Sequence, residues 1–167
     1  MKILISNDDG YQSEGIQTLT RYLSQDHEVV VVAPNENKSA ASSSLTLDKP
    51  LKPIKIDTNI YSIDATPSDC VHLALCGFLD EAIDLVVTGI NFGPNLGDDV
   101  IYSGTVAGAI EGRFLGLPSV AFSLASWEGK YFETAGRVAQ QVINKIHTSQ
   151  LSHDTVLNVR VAKYEWH

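Results

Sequence analysis

Two adjacent carboxylates, Asp8 and Asp9, stand in the run Asn7-Asp8-Asp9-Gly10, directly after a short apolar stretch. Neighbouring acids repel one another, and a hard cation is the common remedy for such a pair in a cleft. A helix-capping acid beside a solvated neighbour accounts for the pair equally well, so the pair alone leaves both readings open. Further along, Pro34-Asn35-Glu36-Asn37-Lys38-Ser39 and Asn91-Phe92-Gly93-Pro94-Asn95 offer neutral oxygens. Taken singly, Ser39 and Asn91 are of the kind that serves in turns and caps. Together with Asp8 and Asp9 they make an all-oxygen set without sulfur or imidazole, suited to Mg2+ or Mn2+ rather than zinc. A fourth segment, Tyr102-Ser103-Gly104-Thr105, starts a helix with hydroxyls and a glycine. Free amides and the positive dipole end there offer a phosphate site if a cation lies alongside, and a plain capped helix otherwise. The P-loop and G-x-G-x-x-G dinucleotide patterns are both absent from the sequence.

What brings these segments together is their position after strands. Lys2–Ser6, Val29–Ala33, Leu85–Ile90 and Ser119–Ser123 read as strands, the middle two as continuous runs buried on both faces. Amphipathic stretches separate them. Ile16, Leu19 and Leu23 fall on one helical face, and Thr66-Pro67-Ser68-Asp69 starts a helix expected to reach about Asp80. Another helix begins near Ser103, with Gly104, Ala107, Gly108 and Ala109 small enough to lie against a sheet. A last one spans Phe132 to His147. The alternation predicts an α/β fold with a mostly parallel sheet, and ligands of such sheets bind at the carboxyl ends of the strands. The polar stretch holding Ser39, Ser42, Ser43 and Ser44 reads as a long loop, and Leu45-Thr46-Leu47 before Pro50 as a short projecting hairpin strand.

Composition narrows the classes. The 167 residues, 44% of them hydrophobic, suit a single domain with a real core. A net charge of -8 argues against binding nucleic acid polymers through a basic surface, while leaving small anions open if a cation mediates. No window approaches a membrane span and the start reads as a strand rather than a leader, so the expectation is a cytoplasmic protein without a membrane partner. Cys70 and Cys76 read as buried thiols; His72 reads as a half-buried packing residue, and His27, His147, His153 and His167 as exposed.

Asn7-Asp8-Asp9-Gly10, Val32-Ala33-Pro34 to Lys38-Ser39, Thr66-Pro67-Ser68-Asp69-Cys70-Val71, Gly89-Ile90-Asn91 through Asp98, and Tyr102-Ser103-Gly104-Thr105-Val106 through Glu111-Gly112 closely resemble, in order and spacing, the SurE family of nucleotidases. The resemblance runs from Met1 to about Val159. It implies a three-layer sandwich with a Rossmann-like sheet, and one divalent metal held by Asp8, Asp9, Ser39 and Asn91. It also implies hydrolysis of nucleoside 5'- and 3'-monophosphates, with short polyphosphate as a further substrate. On that reading Asp8 and Asp9 are catalytic as well, and Asn95, Ser103, Gly104 and Thr105 contact the phosphate. The resemblance also implies a homodimer or homotetramer in the full-length family form, built with a C-terminal segment that this sequence is expected to lack. Ala65 departs from the family's usual glycine. Two rival readings are a receiver-like signalling module, in which Asn91 stands where an acceptor aspartate is needed, and a non-catalytic nucleotide-binding module. A haloacid-dehalogenase phosphatase would carry D-x-D where this chain has Asp8-Asp9.

Overall fold

In the computed structural model, which describes residues 1–39, 43–127, 131–149 and 151–162, seven strands form one sheet flanked by helices on both faces. In chain order the elements are β1 (Lys2–Ser6), α1 (Glu14–Leu23), β2 (Glu28–Pro34), β3 (Ile54–Asp57), β4 (Ile60–Ile63) and α2 (Pro67–Leu73). A π-helical turn (Ala74–Phe78) follows, then β5 (Leu85–Phe92), α3 (Asp99–Tyr102), α4 (Gly104–Phe114), β6 (Ser119–Ala125), α5 (Phe132–Ser149) and β7 (Val156–Ala162). The strand order is β3-β4-β2-β1-β5-β6-β7, parallel throughout except for the antiparallel pair β3 and β4. Because the chain builds outward from β1 on one side and then from β5 on the other, the crevice between their carboxyl ends is the natural ligand position.

The central strands read as unbroken apolar runs because both of their faces are covered. Ile3, Ile5, Val31, Ala33, Val87 and Phe122 join α1 and α5 in one core layer. Leu4, Val30, Val32 and Val86 face Cys70, Val71 and Ala74 of the α2 side, and Ala121 packs with Val106 and Ala109 of α4. The expected three-layer α/β sandwich is therefore present, and the small residues of α4 do bring it close: a Cβ on Gly108 would lie 3.1 Å from Thr88 Cγ2.

The start of α2 follows its sequence signature. Thr66 Oγ1 accepts from Asp69 N at 3.1 Å while Asp69 Oδ2 accepts from Thr66 N at 3.0 Å, a reciprocal capping box behind Pro67. The helix departs from the expected length, giving way to π-helical geometry at Ala74. Asp69 also accepts from Thr46 N at 2.8 Å and Thr46 Oγ1 at 2.7 Å, and Thr66 Oγ1 donates to Ser44 O at 2.7 Å. That is why Leu45-Thr46-Leu47 is irregular rather than a hairpin strand: the backbone N–H that a ladder would need is already bound to a carboxylate. The antiparallel hairpin lies further on, in β3 and β4 at the sheet edge.

β3, β4 and β7 lie beyond the four strands anticipated, and β5 runs two residues past its expected end, so that Asn91 is within the strand. Cys70 is buried as expected, but Cys76, within the π-helical turn, is exposed. His27 is half-buried, its Nε2 2.8 Å from Asn144 Oδ1, where an exposed side chain was expected. His147 and His153 are exposed. Ser42 and His167 lie outside the described residues. Among the described residues, no helix is long and apolar enough to cross a membrane.

Candidate functional site

The turn after β1 is shaped by Asn7, whose Nδ2 donates to Gly10 O at 2.9 Å and to Ser13 Oγ at 2.8 Å. Gly10 takes φ +95°, a left-handed conformation costly for other residues. The turn thereby sends Asp8 inward, 4% exposed, and leaves Asp9 half-buried at the rim.

Each carboxylate is held by an element other than its own. Thr105 Oγ1, in the first turn of α4, donates to Asp8 Oδ1 at 2.6 Å, and the Thr105 backbone amide also supports that carboxylate. α4 can come this near only because residue 104 has no side chain: a Cβ there would lie 2.9 Å from Asp8 Cβ and 3.1 Å from Oδ2. Asp9 bridges two other segments. Its Oδ2 accepts from Phe92 N at 3.4 Å and its Oδ1 from Asn37 Nδ2 at 3.3 Å. Asn37 Oδ1 in turn accepts from Ser39 N at 2.8 Å, and Lys38 N donates to Asp8 O at 2.7 Å, so the segment after β2 is tied to the turn after β1.

These segments border a cleft of about 400 Å³ at the carboxyl ends of β1 and β5, lined among others by Asp8, Ser39, Asn91, Asn95 and Ser103. Asn91 Nδ2 donates to Gly93 O at 2.9 Å, which uses the amide's donor end on the protein and leaves its acceptor oxygen for the cleft. Asn95, at φ +44°, is held by a 2.9 Å bond from its Nδ2 to Ser123 Oγ. Ser103 Oγ accepts from Val106 N at 3.1 Å and caps α4, keeping its own O–H as a donor. Thr105, by contrast, turns its hydroxyl and amide to Asp8 rather than to the open cleft. Asn37, Asp99, Phe92 and Trp127 belong to the same surroundings and were not singled out in the sequence. Asn37 had a legible signal, an asparagine two residues before a serine with the geometry of an Asx turn.

Burial holds the Asp8 carboxyl above its ordinary range, with the Thr105 hydroxyl pulling the other way. Burial and the neighbouring charge of Asp8 push Asp9 up to about 6, and the Phe92 amide draws it back. Asp8 lines the cleft with Ser39 and Asn91, while Asp9 adjoins it through its bond from Phe92 N. Two carboxylates resisting ionisation side by side, with these neutral oxygens nearby, suit a small divalent cation: it would favour the ionised forms that desolvation and repulsion now oppose. No group of three or more His, Cys, Asp and Glu side chains is poised for a metal among the described residues, so a cation here would take two acids and neutral oxygens. His72 is elsewhere, its Nδ1 2.8 Å from Glu111 Oε1 between α2 and α4.

Comparison with known proteins assigns the family. The family profile of survival protein SurE matches residues 3–167. The chain belongs to the SurE family. It is 77% identical over 161 residues to a 5'-nucleotidase SurE of Ruthia magnifica subsp. Calyptogena magnifica, covering 96% of this chain and 65% of that protein. It is 52% identical over 167 residues to a 5'-nucleotidase SurE of Alkalilimnicola ehrlichii, again covering 65% of the relative. The crystal structure of the SurE protein from Aquifex aeolicus superimposes with a TM-score of 0.93 at 48% identity, over 97% of this chain and 66% of that one. The chain thus spans just under two thirds of the length of these relatives.

Proposed function

We propose that this chain carries the cation and phosphate site of a phosphomonoesterase that hydrolyses nucleoside 5'- and 3'-monophosphates to nucleoside and inorganic phosphate, with short polyphosphate as a further substrate. The observation that carries the reading is the cleft where oxygen donors from three separate strand ends meet around the buried Asp8. Relatives named 5'-nucleotidase support it. On this reading Asp8, Asp9, Ser39 and Asn91 hold one Mg2+ or Mn2+. When bound, the cation supplies Lewis acidity toward a phosphoryl oxygen.

The remaining work falls to the chain itself. Phosphoryl transfer is loose, so positioning and charge stabilisation matter more than a covalent nucleophile. The Ser103 hydroxyl, the Gly104 amide beside Asp8 and the Asn95 side chain bind the phosphoryl oxygens. Thr105 acts indirectly, fixing the rotamer of Asp8. A carboxylate oxygen of Asp8 or Asp9 accepts the proton of the attacking water. No histidine lines the cleft among the described residues, so water protonates the leaving alkoxide. The reading takes the 167 residues as one nucleotidase domain in a cytoplasmic protein, and the working form as a homo-oligomer, which the family resemblance implies.

Phosphate release from AMP, GMP and a 3'-nucleotide, with Mn2+, with Mg2+ and with EDTA, tests the proposal. Release that requires a cation is the expected result. Absence of release with every cation would overturn it, and tight AMP binding without turnover would assign a binding module instead.

A further inference from the structure

The geometry points to Trp127 as the stacking platform for the nucleotide's base, so that the cleft takes base-bearing phosphates in preference to phosphorylated sugars without a base. This rests on the phosphomonoesterase reading of the same cleft. Trp127 follows β6 and lines the cleft together with Asp8 and Asn91. Its indole is fixed from two sides. The benzo ring lies over Gly93, where a Cβ would come within 2.9 Å of Cη2 and 3.0 Å of Cζ3, so only glycine allows this seat. Phe92 meets it edge to face, with centroids 5.7 Å apart at 85°, and Phe92 is itself backed by the buried Phe132 ring at 6.1 Å.

Despite these supports Trp127 keeps 72% of its surface in water. A large ring held in place at that exposure is a ready surface for a flat ligand, because its own ordering is already complete before the ligand arrives. Its distance from the polar end is set as well. Gly93, the seat of the indole, accepts from Asn91 Nδ2, so platform and oxygen donors share one short stretch of backbone. A cleft lined by a buried carboxylate, side-chain amides and an aromatic ring matches a phosphate joined through a sugar to a planar heterocycle. Stacking suits an acidic chain of net charge -8, since it needs no charge complementarity with the base.

The test compares AMP with ribose 5-phosphate on this chain with Mn2+. In Trp127→Ala the ratio of kcat/KM for AMP over ribose 5-phosphate should fall roughly tenfold, mainly through the KM for AMP, and Trp127→Phe should restore most of it. An unchanged ratio would overturn the platform. A second readout does not need turnover. Replacing Trp166 by Phe leaves Trp127 as the single tryptophan of the two in the sequence. AMP should then quench its fluorescence while ribose 5-phosphate does not. If neither compound is hydrolysed, the phosphomonoesterase reading fails, and quenching by AMP alone still supports stacking; equal quenching by both, or none, sinks it.

Discussion

Thr105 Oγ1 lies 2.6 Å from Asp8 Oδ1, joining the first turn of α4 to the end of β1. Both groups are buried, and the bond runs from a neutral donor to an acid that burial would otherwise hold protonated. Replacing Thr105 by Val keeps the shape and removes the donor. A buried acceptor left unmatched costs about 1–3 kcal/mol, so the metal-free variant should unfold at correspondingly lower denaturant. An unchanged midpoint in urea would show that the bond contributes nothing.

The spacing at residue 104 makes a sharper prediction. A methyl in Gly104→Ala must displace either α4 or the Asp8 side chain, since it would lie 2.9 Å from Asp8 Cβ. Overpacking of this kind costs about 1–3 kcal/mol. Cation-dependent phosphate release should drop by at least about tenfold as Asp8 leaves its rotamer, given how steeply misplacement reduces rate. A variant with wild-type turnover and wild-type Tm would refute the close approach.

The two acids set a pH dependence whose sign is fixed by their environment. Asp9 has a folded value of about 6 against an ordinary 3.8, and Asp8 shifts in the same direction. Without metal, their contribution to stability is fully present below the unfolded value and is lost as pH rises through about 6. A cation held at the proposed site would bind the ionised pair, so its stabilisation should grow across that window. The rise in Tm on adding Mn2+ should be larger at pH 7.5 than at pH 5. A rise that is equal at both, or larger at pH 5, would remove Asp9 from the cation site.

Asn37 offers a separable effect. It is exposed, yet it bonds both the Asp9 carboxylate and the Ser39 backbone. Asn37→Ala should change Tm little, as exposed substitutions usually do, while weakening Mn2+ binding several-fold because Ser39 and Asp9 lose their shared brace. Calorimetric titration with Mn2+ checks this, and an unaltered Kd would make Asn37 a bystander.

Much of this arrangement was open to reading in the sequence, for a reason that also explains what was missed. β1, β2, β5 and β6 are covered on both faces, so their runs of Val, Ile and Leu carry the signal outright. β3 (Ile54-Lys55-Ile56-Asp57) and β7 (Leu157-Asn158-Val159-Arg160-Val161) instead carry the weaker signal of edge strands, short apolar–polar alternation rather than a continuous run, with Leu157, Val159 and Val161 facing the core. The positions of Asp8, Asp9, Ser39 and Asn91 followed from their places after strands. What Thr105 faces did not, because that depends on how close α4 comes to β1, a distance set by packing between elements far apart in the chain. Trp127 was hidden for the same reason: nothing near it in sequence announces its contact with Gly93.

The three bonds that Asp69 accepts from Thr66 N, Thr46 N and Thr46 Oγ1 reach further than the start of one helix. They moor Thr46 to α2, and α2 lies along α4, whose first turn grips Asp8. A change at Thr46 or Asp69 should therefore be felt at Asp8 through a pair of packed helices, although neither residue lines the cleft.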